Sequence, residues 1–345
     1  MKASVLLLGL GRIASSLEKD PLRYHPCTHA GTVFSKEFRS KFTIEGYFDP
    51  NPEKRIEFES DWKKVLKNSK ATSDKSDFLS KKFDLCVIAS SSESHFKNAM
   101  EAMDLSIPHI LIEKPLCKSL KELSILKERA NRSGTKIWVN HERRYHPIYK
   151  LVKDKLDSEE WGEIKSIRAS VLTAGRFPGL AFKKSGGGPL LHDGTHAVDY
   201  LDYLFGEAPK ILSAIKKIPQ NQLVESQMSG LLVYQNSIPV FLEAGGERNY
   251  FAFEIDIHTS SHRIVLSNDG HRLYRSKSSE LYSGFYSLKE IPFPNPKNLN
   301  PWIEIYREIY ENISGKHNRI SGGLDANERI LKTLLNIQKK SRKSI

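Results

Sequence analysis

Apolar positions along this chain follow two rhythms, and the change between them falls near Pro147. In the first part, short apolar runs alternate with stretches whose apolar residues recur at helical spacing, as a parallel sheet with crossover helices requires. Residues 4–10, 43–48, 85–90, 109–112 and 136–140 read as strands. Residues 95–105 and 120–133 read as amphipathic helices, the second stopped by Gly134. A stretch at about 24–41 shows no clear period and reads as a loop inserted into the first βαβ unit. After Pro147 one helical stretch is followed by alternating runs at 164–172, 211–217, 229–234, 240–244, 251–258 and 263–267. Their close spacing favours antiparallel pairing. Helical patterns return at 302–313 and 324–340. The fold class expected is α/β: a doubly wound parallel sheet over 1–141, then an α+β domain over 142–345 on an open, mostly antiparallel sheet. The last helix is free to pack back on the first domain.

Composition agrees with two globular cores. A chain of 345 residues exceeds one ordinary core, and 39% hydrophobic with 27% charged residues excludes a disordered or collagen-like chain. The apolar run at 5–10 is far shorter than the ~20 residues a bilayer span needs. It reads as a buried strand and not as a signal peptide, so a cytoplasmic protein without a membrane partner is expected. Cys27, Cys86 and Cys117 are odd in number and lack a Cys-x-x-Cys pair, which suits reduced thiols. The net charge of +12 fits an anionic substrate or cofactor as well as a nucleic acid. Its densest run, Lys339, Lys340, Arg342 and Lys343, reads as a solvated helix end, and no nucleic-acid motif accompanies it.

Two clusters carry candidate chemistry. Gly9-Leu10-Gly11-Arg12-Ile13-Ala14 follows the first strand and opens what reads as a helix, the setting a dinucleotide fingerprint needs. Gly9 permits a tight turn, Gly11 lets the backbone approach a pyrophosphate, and Ala14 allows close packing. Helix N–H groups then face the phosphates. Asp49 ends the second strand in position to accept from an adenosine ribose, which favours NAD over NADP; Arg12 and Lys54 keep NADP possible. Glu113-Lys114-Pro115 ends the fourth strand, where an ammonium can polarise a substrate oxygen. The second cluster is the helix led by Gly186-Gly187-Gly188-Pro189, on which His192, His196 and Asp199 fall at i, i+4 and i+7 beside Asp193. Either histidine could move a proton at neutral pH. His-x-x-x-His is also metal-ligand spacing, and His25, Cys27 and His29 form a second such cluster; neither has a clear set of further ligands, so no metal is expected.

These motifs, with Val87-Ile88-Ala89-Ser90 followed by His95 and with Arg144-Tyr145-His146-Pro147, resemble the Gfo/Idh/MocA family of nicotinamide-dependent oxidoreductases over nearly the whole chain. The resemblance implies an N-terminal Rossmann domain and a C-terminal domain whose open sheet makes homo-oligomers. It implies that Lys114 contacts substrate and nicotinamide and that His196 is the acid/base. It also puts Ser90, Ser91, His95 and Glu113 near the cofactor, with Asn140 and Arg144 bordering the substrate. Many members carry an aspartate four residues before the helix histidine. Here that position is His192, with Asp193 one later, so the base is either His192 or His196.

The expected function is hydride transfer at a carbinol or carbonyl carbon of a sugar, cyclitol or nucleotide sugar. In it Lys114 stabilises the oxygen and His196, oriented by His192 or Asp193, carries the proton. The rivals are a non-catalytic dinucleotide-binding sensor of the same fold, and an enzyme acting on a dihydrodiol or tetrapyrrole.

Overall fold

The structure is a computed structural model, and it describes residues 2–66, 71–175, 179, 181–220, 222–235 and 237–343. Two compact units emerge: Met1–Pro147 with Asn298–Glu328, and Ile148–Lys297 with Arg329–Ile345.

The first unit is built on β1 (Ala3–Leu8), β2 (Phe42–Phe48), β3 (Leu85–Ile88), β4 (His109–Glu113) and β5 (Lys136–Asn140), all parallel in the order β2-β1-β3-β4-β5. All six residues of β1 are buried, because helices cover both faces of such a sheet and a continuous apolar run is what it buries. Connecting helices are α1 (His29–Phe34), α2 (Pro52–Asp61), α3 (Lys63–Leu66), α4 (His95–Asp104) and α5 (Leu120–Ser133). Local chemistry sets their ends. Ser119 caps α5 by accepting from the Glu122 N–H, and Gly134 stops it at φ +69°. The chain leaves β1 toward β2 on one side and returns to β3 on the other. The carboxyl ends of β1 and β3 therefore flank a topological switch point, where open α/β sheets bind ligands.

The second unit contains α6 (Pro147–Asp157, its first residue at the division), β6 (Ile164–Leu172), α7 (Thr195–Phe205), β7 (Lys210–Lys217), β8 (Gln227–Tyr234), β9 (Ile238–Gly245), β10 (Ala252–Thr259), β11 (His262–Ser267), β12 (Arg272–Ser278) and β13 (Tyr286–Ile291). Then α8 (Pro301–Ile313) completes the first unit, and α9 (Leu324–Lys340) leads to β14 (Ser341–Lys343). The strands form one nine-stranded sheet, β13-β12-β11-β10-β6-β9-β8-β7-β14. Most neighbours are antiparallel, but β6 runs parallel to β9 and β14 parallel to β7. Apolar residues of α6, α7 and α9 share one core with the inward residues of this sheet.

Three local features differ from the sequence reading. The glycine turn does not open a regular helix: residues 11–15 form turns and Ser16–Lys19 a single 3-10 turn. The stretch read as a patternless loop carries α1, whose His29 and Ala30 N–H groups donate to the Ile13 and Ala14 carbonyls. The first crossover helix is thus split in two, and Glu18 rejoins the halves by accepting from the Cys27 N–H at 3.0 Å and the Thr28 hydroxyl at 2.7 Å. Strands β12 and β13 were not expected; Lys and Arg interrupt their period, and much of their surface is exposed.

Candidate active site

The carboxyl edge of the first sheet gathers most of the expected cofactor residues. Gly9 has φ +90°, and a Cβ there would lie 2.4 Å from the Ser90 nitrogen, so only glycine lets β1 and β3 end this close together. Gly11 is the converse. No atom of the described residues beyond its chain neighbours lies within 4 Å of where its Cβ would be, so the backbone is open to an approaching ligand. Asp49 Oδ2 accepts from the Leu10 N–H and its Oδ1 from the Asn51 N–H, both at 2.9 Å, so this carboxylate braces the glycine turn. Gly9, Asp49, Ser90 and Ser91 line a cavity of about 360 Å³, joined by Lys75 and Lys97. Arg12 is exposed, whereas Ile13 packs against the core. His95 is buried with Nδ1 2.7 Å from the Pro115 carbonyl and Nε2 3.0 Å from the Ser90 carbonyl. It ties the β3 edge to the Glu-Lys-Pro turn through its ring nitrogens.

Glu113 ends β4 directly beside Asn140, its register partner at the end of β5. Asn140 donates to Glu113 Oε1 at 2.6 Å, and His29 Nε2 lies 3.0 Å from the same oxygen. Burial pushes the Glu113 carboxyl up, but the His29 and Asn140 hydrogen bonds and the Lys114 charge outweigh it, so the group sits below its ordinary value. Lys114 is half-buried, and its bond to Pro115 is cis. The Asn140 Oδ1 is buried without a hydrogen-bond partner among the described residues, as an atom awaiting a ligand donor would be. Arg144, 3% exposed, lies under Gly322, where a Cβ would come 2.8 Å from its Cδ.

In the second unit the glycine-led segment is not one α-helix. Leu190–Gly194 is a π-turn, and α7 starts at Thr195. The i, i+4 and i+7 spacing of His192, His196 and Asp199 therefore does not run along one regular α-helix. His192 Nδ1 is 2.7 Å from Asp193 Oδ1, and the Thr173 hydroxyl donates to Asp193 Oδ2 at 2.8 Å. His192 is thus held by a carboxylate. His196 stands one residue into α7, half-buried, above a fully buried Asp199. Beneath the turn, Glu225 accepts from the Leu190 N–H at 3.3 Å, and a Cβ at Gly188 would collide with its carboxylate at 2.3 Å.

Sequence reasoning missed His29, Tyr306, Thr173 and Glu225. His29 was legible only as part of a metal-like cluster. The fold turns it into the core, and Glu18 stands in its place, the donor atoms of Glu18, His25 and Cys27 lying within 4.8 Å of one another. The other three carry no local signal, since long-range folding alone brings them to their partners.

Comparison with known proteins defines the class and then the family. Residues 3–141 match an oxidoreductase family with an NAD-binding Rossmann fold, and residues 149–265 match the GFO/IDH/MocA C-terminal domain. The chain belongs to the Gfo/Idh/MocA family. Oxidoreductase P35 of Formosa agariphila is 29% identical over 48% of this chain and 53% of its own length, so the match spans about half of that relative. UDP-N-acetylglucosamine 3-dehydrogenase GnnA from Acidithiobacillus ferrooxidans superposes with a TM-score of 0.75 at 16% identity, over 99% of this chain and 98% of that one. Gal80p of Saccharomyces cerevisiae, in a super-repressor mutant, gives 0.78 at 17%, over 99% and 96%. At such identities the structures share the fold alone. No helix among the described residues is long and apolar enough to cross a membrane.

Proposed function

We propose that this protein is a nicotinamide-dependent oxidoreductase acting at a carbinol or carbonyl carbon of a sugar, cyclitol or nucleotide sugar. One observation carries the reading. Gly9, Asp49, Ser90 and Ser91 surround a single cavity at the switch point, Gly11 is open toward solvent, and Glu113-Lys114 ends the neighbouring strand on the same carboxyl edge. The dinucleotide, when bound, supplies or takes the hydride. Ser90 and Ser91 border it, while Asp49 fixes the turn and sets a negative charge against a 2′-phosphate. NAD is accordingly preferred, with Lys75 and Lys97 on the cavity wall leaving NADP as the weaker ligand. Lys114 polarises the substrate oxygen, and Asn140 and Arg144 border the substrate. In the second unit the proton is carried by His192 or His196. The carboxylate hydrogen bond makes His192, oriented by Asp193 and Thr173, a base in its own right beside the family's His196. Membership of the oxidoreductase family supports the reaction class, and the fold shared with Gal80p does not by itself decide between enzyme and regulator.

A panel of sugars, cyclitols and nucleotide sugars, with a dihydrodiol and a tetrapyrrole as controls, is to be followed by absorbance of reduced nicotinamide. On the substrate that turns over, Lys114→Met is expected to lower kcat at least about 100-fold while NADH binding changes little. Dinucleotide binding without turnover on any compound favours the regulator, and unchanged turnover in Lys114→Met contradicts the mechanism.

A further inference from the structure

Glu18, His25 and Cys27 meet where the split first crossover rejoins, and they bring three donor types that zinc takes: a carboxylate oxygen, an imidazole nitrogen and a thiol sulfur. One donor atom from each lies within 4.8 Å of the other two. An ion at about 2.0–2.3 Å from each would set the three roughly 3–4 Å apart, so closing on it asks for shifts of about 1 Å. His25 Nδ1 is already 3.0 Å from Glu18 Oε1. Glu18 Oε2 accepts from the Cys27 N–H at 3.0 Å and the Thr28 hydroxyl at 2.7 Å, which fixes the carboxylate with Oε1 toward the histidine. A Cβ at Gly31 would collide with Oε2, so the carboxylate needs the glycine. Cys27 is buried, and its Sγ donates to the Leu17 carbonyl at 3.3 Å. Burial first, then the Glu18 charge, push that thiol up to about 11, so it keeps its proton until a cation displaces it. His25 has 41% of its side chain exposed and, with Glu18, lines a cavity of about 750 Å³ bounded also by Gly31, Ser35, Asn298 and Asn300. That cavity shares no lining residue with the one at the switch point, and it gives an ion a way in.

We propose that Glu18, His25 and Cys27 bind a divalent cation of the zinc type, with water in a fourth position on the cavity side, and that the ion locks the two halves of the crossover together. The sulfur–cation bond forms as the S–H bond breaks, and the proton passes to water. Thiolate and carboxylate then balance the two charges of the ion, while His25 binds through Nδ1 as the neutral ring with its proton on Nε2. The third member of the sequence pattern, His29, takes no part, since its ring nitrogens lie 2.9 Å from the Tyr306 hydroxyl and 3.0 Å from Glu113 Oε1. Glu18, at the 3-10 turn Ser16–Lys19, supplies the ligand that the sequence pattern lacks. The site stands apart from the proposed hydride transfer and does not depend on it.

The test is a titration of the full chain, without an affinity tag, stripped by chelator and kept reduced by a reagent that is not a thiol. Cobalt chloride is added first and zinc chloride second. Cobalt is expected to bind once per chain and to give a thiolate-to-cobalt charge-transfer band in the near ultraviolet, which zinc then removes by taking its place. The zinc constant from that competition should be about 1 µM or tighter, and zinc should raise the melting temperature. Cys27→Ser should abolish the band, whereas Cys117→Ser, at a buried thiol elsewhere, should keep it. Glu18→Gln retains a carbonyl for the Cys27 N–H and Thr28 hydroxyl, and His25→Ala removes an exposed side chain, so both should fold. Each is expected to weaken zinc at least about tenfold and to shrink the rise in melting temperature. No thiolate band in the unmodified protein would overturn the proposal, as would a band that survives in Cys27→Ser. Zinc affinity unchanged in both Glu18→Gln and His25→Ala would also overturn it, leaving the ion on other surface groups only. If Cys27→Ser fails to fold, those two variants decide.

Discussion

His141 and Gly9 show at the scale of single residues how this edge of the sheet is built. His141 follows Asn140 into the buried turn, where burial first, then the charges of Arg144 and Lys114, hold its pKa well below 6.5. Such a histidine is neutral in the folded protein and takes a proton readily once unfolded. Its stabilising contribution is therefore complete above pH 6.5 and declines as pH falls from there toward its folded value. Urea unfolding between pH 7.5 and 5.5 should show stability declining with acid, and His141→Gln should remove about 1.4 kcal/mol of that decline over the whole range. An identical slope in the variant would place the acid sensitivity elsewhere, His109 being the next candidate. Gly9 answers to sterics. Alanine there meets the Ser90 backbone and an unfavourable φ together, so Gly9→Ala should cost about 2 kcal/mol or more in the same assay.

Elements differ in how plainly the chain declares them. Helix α5 was legible to the residue, because a helical period and a stopping glycine agree, and the structure adds the Ser119 cap. The parallel strands were legible as apolar runs, since a strand covered on both faces needs little else. The first crossover was not legible: the glycine fingerprint implied a helix, but its length is broken by the insertion and restored through Glu18 and the backbone bonds of His29 and Ala30, contacts with no sequence signal. The π-turn escaped for a related reason. Its residues keep a helical apolar period, and the extra width shows only when Leu190–Gly194 are laid against β9, where Gly194 faces Ala244. That turn sets His192 against Asp193 and Asp193 against Thr173, the arrangement that the proposed proton transfer uses. Asp193→Asn should lower turnover roughly 10–100-fold with dinucleotide affinity intact, and Thr173→Val should do so more weakly. Full turnover in Asp193→Asn would remove His192 from the chemistry and leave the proton to His196.

For the whole molecule, the nine-stranded sheet leaves apolar residues exposed: Leu212 and Ile215 on β7, Phe241 on β9 and Leu288 on β13, with Phe241 53% exposed. Exposed apolar residues of this kind fit an interaction surface, and the family resemblance implies a second copy of the chain as the partner to test for. Light scattering on the eluting protein should give a multiple of 39.3 kDa, and Phe241→Glu should shift it toward that mass; a monomer throughout would refute the homo-oligomer. The central claim, that the first unit holds a dinucleotide on its carboxyl edge, has a sharper test in Gly11. A Cβ there meets no atom of the described residues within 4 Å beyond its chain neighbours, so Gly11→Val should fold with little change in melting temperature. It would nevertheless fill the space a pyrophosphate needs. Titration of NADH fluorescence is therefore expected to show binding by the unmodified protein and a loss of at least about tenfold in affinity in Gly11→Val. Equal affinity in the two proteins, or no binding by either, would contradict the account.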